Sequence, residues 1–195
     1  MITIAVIGRA HHGSEDAVPE AALTAAYEVG RLIAVAGAVL VSGGTTGVME
    51  AASRGAHEAG GLTVGIIPGV ERNSANKYVD ISLPTGLGTA RNIINARAAD
   101  AIVMVGGGAG TLNELTIAYQ ARRSVVVLEG TGGWADRIRS VLVDGRYLDE
   151  RRVTEVFFAA TATEAVNKAM TLARAVEASQ PVADDPSRWL GPDQF

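Results

Sequence analysis

Apolar residues along this chain gather into short continuous runs, and most runs are followed by a glycine-rich turn and then by an alanine-rich segment of helical period. The runs predict strands over residues 3–7, 38–41, 62–67, 79–82, 101–105 and 124–128, with a short one over 156–159. Between them the period predicts helices over 19–36, 47–59, 90–98, 111–122, 134–143 and 161–178, with Pro19 suited to a first helical turn. Strands as uniformly apolar as Ala101-Ile102-Val103-Met104-Val105 are expected where helices cover both faces of a parallel sheet. The fold class read from this alternation is α/β, a Rossmann-like, doubly wound, mostly parallel sheet with helices on both faces.

Composition narrows the picture. With 195 residues, 48% hydrophobic and 19% charged, the chain fits one domain with a sizeable core, read as a nucleotide-binding unit over 1–179. Residues 180–195 carry three prolines and three aspartates and read as an extended C-terminal tail. Its Trp189-Leu190 either docks on the domain or on a partner subunit, or stays free. A net charge of -4 gives no general field for DNA or an anionic membrane, so neither is an expected partner, while a local anion site stays open. The absence of cysteine excludes disulfides, thiolate nucleophiles and cysteine metal sites. The apolar start, Met1 to Gly8, is too short to span a bilayer and lacks a basic leader, so the expected location is cytoplasmic.

In a doubly wound sheet ligands sit beyond the carboxyl ends of the strands, where the strand order reverses. Three glycine-rich turns follow strands or open helices here: Ser42-Gly43-Gly44-Thr45-Thr46-Gly47, Gly86-Leu87-Gly88-Thr89-Ala90-Arg91 and Gly106-Gly107-Gly108-Ala109-Gly110-Thr111. Glycine lets backbone N–H groups approach an oxyanion, and a following helix adds its positive end, so phosphate is the natural ligand. Packing alone also produces such turns, but three at strand ends favour a ligand. There is no P-loop motif, and the third glycine of the dinucleotide fingerprint is missing after Gly110, which argues against a P-loop NTPase or an ordinary NAD dehydrogenase.

Glu114 stands three residues after Thr111 in the spacing of a capping box, as Glu164 does after Thr161. Glu164 is expected to cap only, whereas the Glu114 carboxylate also falls near a glycine turn, which leaves ligand contact or catalysis open beside capping. Arg91 at a helix start opposes the helix dipole, a conflict an anionic ligand would relieve. An ordinary exposed arginine is the alternative, since 15 of the 17 basic residues are arginine, Lys77 and Lys168 being the lysines. His11-His12, with Ser14, Glu15 and Asp16, reads as a polar loop beside the cleft, and no metal site is expected. No histidine motif accompanies Ser42, so a serine hydrolase is discarded.

At Gly43-Gly44-x-x-Gly47-x-Met49 and Gly107-Gly108-Ala109-Gly110-Thr111-Leu112-Asn113-Glu114 the chain resembles the Lonely Guy (LOG) superfamily, often labelled "possible lysine decarboxylase". Arg91 lies 15 residues before Gly106, matching that family's interval, and the similarity runs from Thr3 to about Val127. The resemblance implies a phosphoribohydrolase that splits a nucleoside 5'-monophosphate into free base and ribose 5-phosphate, with Arg91 and Glu114 at the catalytic positions. Asn92 stands where the family has lysine and Gly106 where it has proline, while Ser42 and Glu50 replace glycines. Ser42-Gly43-Gly44, Thr63 to Gly69, Gly86 to Asn92 and Gly106 to Thr111 together look closer to the molybdenum-cofactor carrier protein branch, whose members bind a phosphorylated pterin. The DNA-processing DprA proteins resemble the fold more distantly. Pyridoxal phosphate chemistry needs a lysine, and neither Lys77 nor Lys168 falls in a glycine turn, so that dependence is rejected.

The leading expectation is therefore a binding protein for a phosphorylated nucleotide-like or pterin ligand. The runner-up is the phosphoribohydrolase, and a scaffold without chemistry is third. Expected ligand contacts are Gly8, Ser42, Gly43, Gly44, Thr45, Gly47, Met49, Gly88, Asn92, Gly107, Gly108, Gly110 and Thr111, with Arg91 and Glu114 as the catalytic pair. No cofactor is required in this reading; a bound molybdenum cofactor or nucleotide is the expected cargo. The resemblance further implies a homodimer or higher homo-oligomer with the site near the interface.

Overall fold

The computed structural model describes residues 1–11 and 17–179, so the tail 180–195 and loop residues His12, Ser14, Glu15 and Asp16 lie outside the described residues. Seven strands, β1 (Thr3–Gly8), β2 (Val39–Ser42), β3 (Thr63–Ile67), β4 (Ile81–Pro84), β5 (Ala101–Val105), β6 (Ser124–Leu128) and β7 (Val156–Ala159), form one sheet. Their order is β4-β3-β2-β1-β5-β6-β7, and every pairing is parallel. The chain steps outward from β1 to β4 and returns on the other side of β1. Strand order thus reverses between β1 and β5, which places the ligand crevice of this architecture at their carboxyl ends.

Helices α1 (Glu20–Val35), α2 (Val48–Glu58) and α6 (Ala162–Ser179) cover one face, while α3 (Asn92–Arg97), α4 (Ala109–Gln120) and α5 (Trp134–Arg137) cover the other. Successive residues of a strand point to opposite faces. Ile4, Val6, Ala101 and Val103 accordingly enter one core and Ala5, Ile7, Ile102 and Met104 the other, which is why these strands are apolar at every position. On the first face α1 and α2 pack backbone to backbone: a Cβ on Gly30 would lie 2.0 Å from the Ala52 carbonyl oxygen, and one on Gly55 2.0 Å from that of Tyr27. Tail aside, no described helix is long and apolar enough to cross a membrane.

Four elements depart from the sequence expectation, one of them α4, which begins at Ala109 rather than residue 111. The fourth strand begins at Ile81 rather than residue 79, because Tyr78 and Asp80 are taken up by Thr63. The Thr63 hydroxyl donates to the Tyr78 carbonyl at 2.6 Å, and the Asp80 carboxylate accepts the Thr63 N–H at 2.9 Å. Pro84, which lacks an N–H, is tolerated because β4 is an edge strand. The helix expected over 90–98 is a 3-10 turn, Gly88–Arg91, followed by α3, and the one expected over 134–143 is α5 followed by a 3-10 turn, Ile138–Val141.

Candidate ligand-binding site

The turns after β1, β2, β5 and β6 and the Gly88–Arg91 turn surround a cleft of about 670 Å³ at the switch point. Among the expected contacts, Gly8, Thr45, Met49, Gly88, Arg91 and Asn92 line it, as do Gly107, Gly108, Gly110, Thr111 and Glu114. Ser42, Gly43, Gly44 and Gly47 are not among its lining residues. The β2 turn is folded on itself: the Gly44 N–H donates to Ser42 Oγ at 3.1 Å, and the Gly44 and Thr45 carbonyls accept from the N–H and the side-chain amide of Asn76, each at 2.8 Å. Gly47, at φ +67°, lies so near the β1 turn that a Cβ would sit 2.5 Å from the Arg9 carbonyl oxygen.

Gly43 has a different reason to be glycine. A Cβ there would fall 2.1 Å from Arg91 Nη1, so the bare backbone makes room for the guanidinium. Arg91 closes its 3-10 turn and directly precedes α3, and it is 9% exposed. The reading of it as an ordinary surface arginine is thereby corrected. Its Nη2 lies 4.0 Å from Met49 Sδ, and its Nη1 lies 3.8 Å from Glu114 Oε1 with no hydrogen-bond partner. Burial works against the arginine's charge, and Glu114 offsets that in part.

Glu114 does not cap its helix. α4 starts at Ala109 after Gly108, two residues earlier than expected, so Thr111 is the third helical residue and Glu114 the sixth, beyond the reach of a capping box. Glu164 does occupy the third helical position of α6, and its N–H donates to Thr161 Oγ1 at 3.2 Å. The Glu114 carboxylate is instead buried beside α3, where Oε1 accepts from Asn95 Nδ2 at 2.7 Å. Burial pushes its pKa up to about 7, although the Asn95 amide and the Arg91 charge both pull the other way.

The β5 turn leaves backbone N–H donors at the cleft. The first intrahelical bond of α4 runs from the Leu112 N–H to the Gly108 carbonyl at 3.0 Å, so the N–H groups of Ala109, Gly110 and Thr111 precede it. They carry the partial positive charge of the helix start. Nothing lies within 4 Å of a Cβ built on Gly108 or Gly110, so both glycines keep the approach to these donors open. Asn92, at the position of the family's lysine, donates from Nδ2 to Asn113 Oδ1 at 3.0 Å.

The cleft also contains residues the sequence reading passed over. Arg9 follows Gly8, and Trp134 and Arg137 come from α5 behind the β6 turn, so the loss of a lysine at 92 does not leave a single cation. Gly130-Thr131-Gly132-Gly133 between β6 and α5 is a fourth strand–glycine–helix passage, the signal that could have found them. Asn95, fully buried and bound to Glu114, was marked in the sequence only as a polar residue beside Arg91 in an otherwise small, apolar segment. No cluster of metal-ligating side chains exists among the described residues.

A Rossmann-like sheet with a glycine-lined cleft at its switch point and a buried Arg91–Glu114 pair defines a protein of the LOG superfamily. Within it the chain belongs to the SLOG cluster4 family, whose model matches residues 1–166. It is similar to the molybdenum cofactor carrier protein of Chlamydomonas reinhardtii, at 37% identity over 88% of this chain and 97% of the other, with a TM-score of 0.70. The molybdenum cofactor binding protein of Rippkaea orientalis is 32% identical over 88% and 96% of the two chains, with a TM-score of 0.74. A cytokinin riboside 5'-monophosphate phosphoribohydrolase of Mycobacterium tuberculosis is 39% identical over 100 residues, half of this chain and 54% of that protein.

Proposed function

We propose that this protein binds and carries a phosphorylated, nucleotide-like or pterin ligand, with its phosphate on the first turn of α4. The observation that carries this reading is the buried Arg91 guanidinium, which lines the cleft with Nη1 unpartnered beside a carboxylate whose pKa burial raises to about 7. A buried donor without a partner is costly, and an anion in the cleft relieves that cost. The residues present fit a phosphorylated pterin such as the molybdenum cofactor. Gly108 and Gly110 leave its phosphate room, and the N–H groups of Ala109, Gly110 and Thr111 are available to receive it. The names of the Chlamydomonas and Rippkaea proteins support the same ligand class. In this reading the protein works in the cytoplasm as a homodimer or higher homo-oligomer, supported by exposed Leu87, Ile93 and Ile94 on the segment that carries Arg91.

A second reading, nucleoside monophosphate phosphoribohydrolase, is favoured by the placement of Glu114. Asn95 holds one carboxylate oxygen, and the same side chain lines the cleft, as general acid–base work on a glycosidic bond requires. The name of the Mycobacterium relative supports it. Against it stands Asn92, neutral and engaged by Asn113 where the family pattern has a second cation. Native mass spectrometry of the purified protein, followed by a free-base release assay on AMP, tests both. A retained phosphorylated pterin or nucleotide without base release is expected. Fast release of base from several nucleoside monophosphates overturns the carrier reading in favour of the enzyme.

A further inference from the structure

The cleft runs along the carboxyl edge of four adjacent strands, β2, β1, β5 and β6. Arg91 stands at the β2 end, against Gly43, and Trp134 and Arg137 stand at the β6 end. Three strand spacings separate those ends, about 14 Å along the sheet edge. The N-terminal turn of α4 follows β5 and so lies between them. A nucleoside or pterin monophosphate with its phosphate on that turn, its charge shared with Arg91, and its body toward Glu114 and Met49 occupies the β2-to-β5 part of the cleft. Trp134 and Arg137 are then on the far side of the phosphate.

The β6 end is firmly built. The Gly107 and Gly106 carbonyls accept the Trp134 and Ala135 N–H groups, each at 3.0 Å, and the Asp136 carboxylate accepts the Gly130 and Gly132 N–H groups at 2.7 and 2.9 Å. A Cβ on Gly133 would fall 2.2 Å from the Gly107 carbonyl oxygen, so the two glycine turns are in direct contact. On this support Trp134 and Arg137 are three positions apart, the spacing that puts both on one face of a helical turn. Neighbouring charges are already engaged, Asp136 by the backbone and Glu129 by Arg139 at 2.8 Å. The Arg137 guanidinium has no ion pair or hydrogen bond among the described residues, and Trp134 is half-buried against the core of that face.

Resting on the phosphorylated-ligand reading, we propose that Trp134 and Arg137 form a second subsite, which makes the preferred ligand a pyrophosphate-bridged one. Arg137 takes the second phosphoryl group, and Trp134 stacks on a ring or sugar carried beyond it. An indole beside an uncompensated guanidinium suits a planar group joined to an anion.

The test is a binding series with AMP, ADP and diadenosine diphosphate, with orthophosphate and pyrophosphate as base-free probes. It is read by calorimetry and by Trp134 fluorescence in a Trp189→Phe background, where Trp134 is the sole tryptophan. Each pyrophosphate compound is expected to bind at least about tenfold more tightly than its monophosphate partner, as one added charged hydrogen bond allows. Diadenosine diphosphate should also quench Trp134. Arg137→Gln, at an exposed position, should bring the ADP-to-AMP affinity ratio close to one. Equal affinities in the wild type, or a preference that survives Arg137→Gln, overturn the subsite while leaving the phosphate site standing. Failure of all five probes to bind overturns the phosphorylated-ligand reading, and this inference with it.

Discussion

Arg91 and Glu114 face each other in the cleft wall at 3.8 Å, Nη1 to Oε1, both nearly buried and without a hydrogen bond between them. Asn95 takes the Glu114 oxygen that the arginine approaches, and Gly43 provides the gap in which the guanidinium lies. A buried ion pair left incomplete contributes little to stability. In the proposed carrier reading its value is to hold a cation ready for an incoming anion.

The proton on Glu114 links this pair to pH. Its pKa is raised from the ordinary 4.5 to about 7 in the folded protein, so the native state holds a proton that the unfolded chain has released across that interval. This contribution to stability is full below about 4.5 and is lost as pH rises through 7, an effect of order 3 kcal/mol by the conversion of pKa shift to free energy. Urea denaturation between pH 5 and 8 should show stability falling with pH in the wild type and a much flatter profile in Glu114→Gln. Parallel profiles for the two proteins would remove the buried acid from the account.

Two glycine substitutions should separate ligand binding from folding. Gly108→Val adds a side chain where nothing lies within 4 Å, on a backbone with φ -103°, so stability should change by less than about 1 kcal/mol while affinity for a phosphorylated ligand collapses. Gly43→Ala pushes into Arg91 and should both destabilise by about 1 to 3 kcal/mol and weaken binding. Thermal melts paired with calorimetry read both effects. Unchanged affinity in Gly108→Val for every ligand the wild type binds would end the anion-cradle assignment.

Arg91→Ala removes the buried donor and should weaken phosphorylated-ligand binding by about 1.5 to 3 kcal/mol, the range for hydrogen bonds to charged groups. Stability should not fall in proportion, because Nη1 makes no protein hydrogen bond to lose. Titration calorimetry with the retained ligand decides this, and an affinity equal to wild type would show that the arginine does not touch the ligand.

Asn92→Lys restores the family's second cation at the price of the Asn92–Asn113 hydrogen bond. Base release from AMP is expected to rise above a low wild-type rate, since a second positive charge would favour phosphate capture and departure of the base. A coupled assay for ribose 5-phosphate measures it. No gain in a folded Asn92→Lys protein would mean that the residue at 92 is not what limits turnover.

The sequence by itself determined the architecture. Uniformly apolar strands can satisfy the hydrophobic effect only when both faces are covered, whereas Arg91 and Glu114 were singled out as a pair by the resemblance to the LOG family and were ambiguous by position alone. Tertiary structure alone decided which glycines face the cleft. Gly43, Gly44 and Gly47 share a motif with Thr45 and Met49, yet they make close contacts with the Arg91 guanidinium and the Gly65 and Arg9 backbone, which sit elsewhere in the chain. It also moved Glu114 from a cap to a buried acid, because α4 starts where the Gly106–Gly107 turn docks against α5, a contact between two turns that no local pattern encodes. Trp134 and Arg137 enter the cleft for the same reason. β6 is the neighbour of β5 in the sheet, and strand order is fixed by the packing of crossover helices over distances that residue spacing along the chain does not carry.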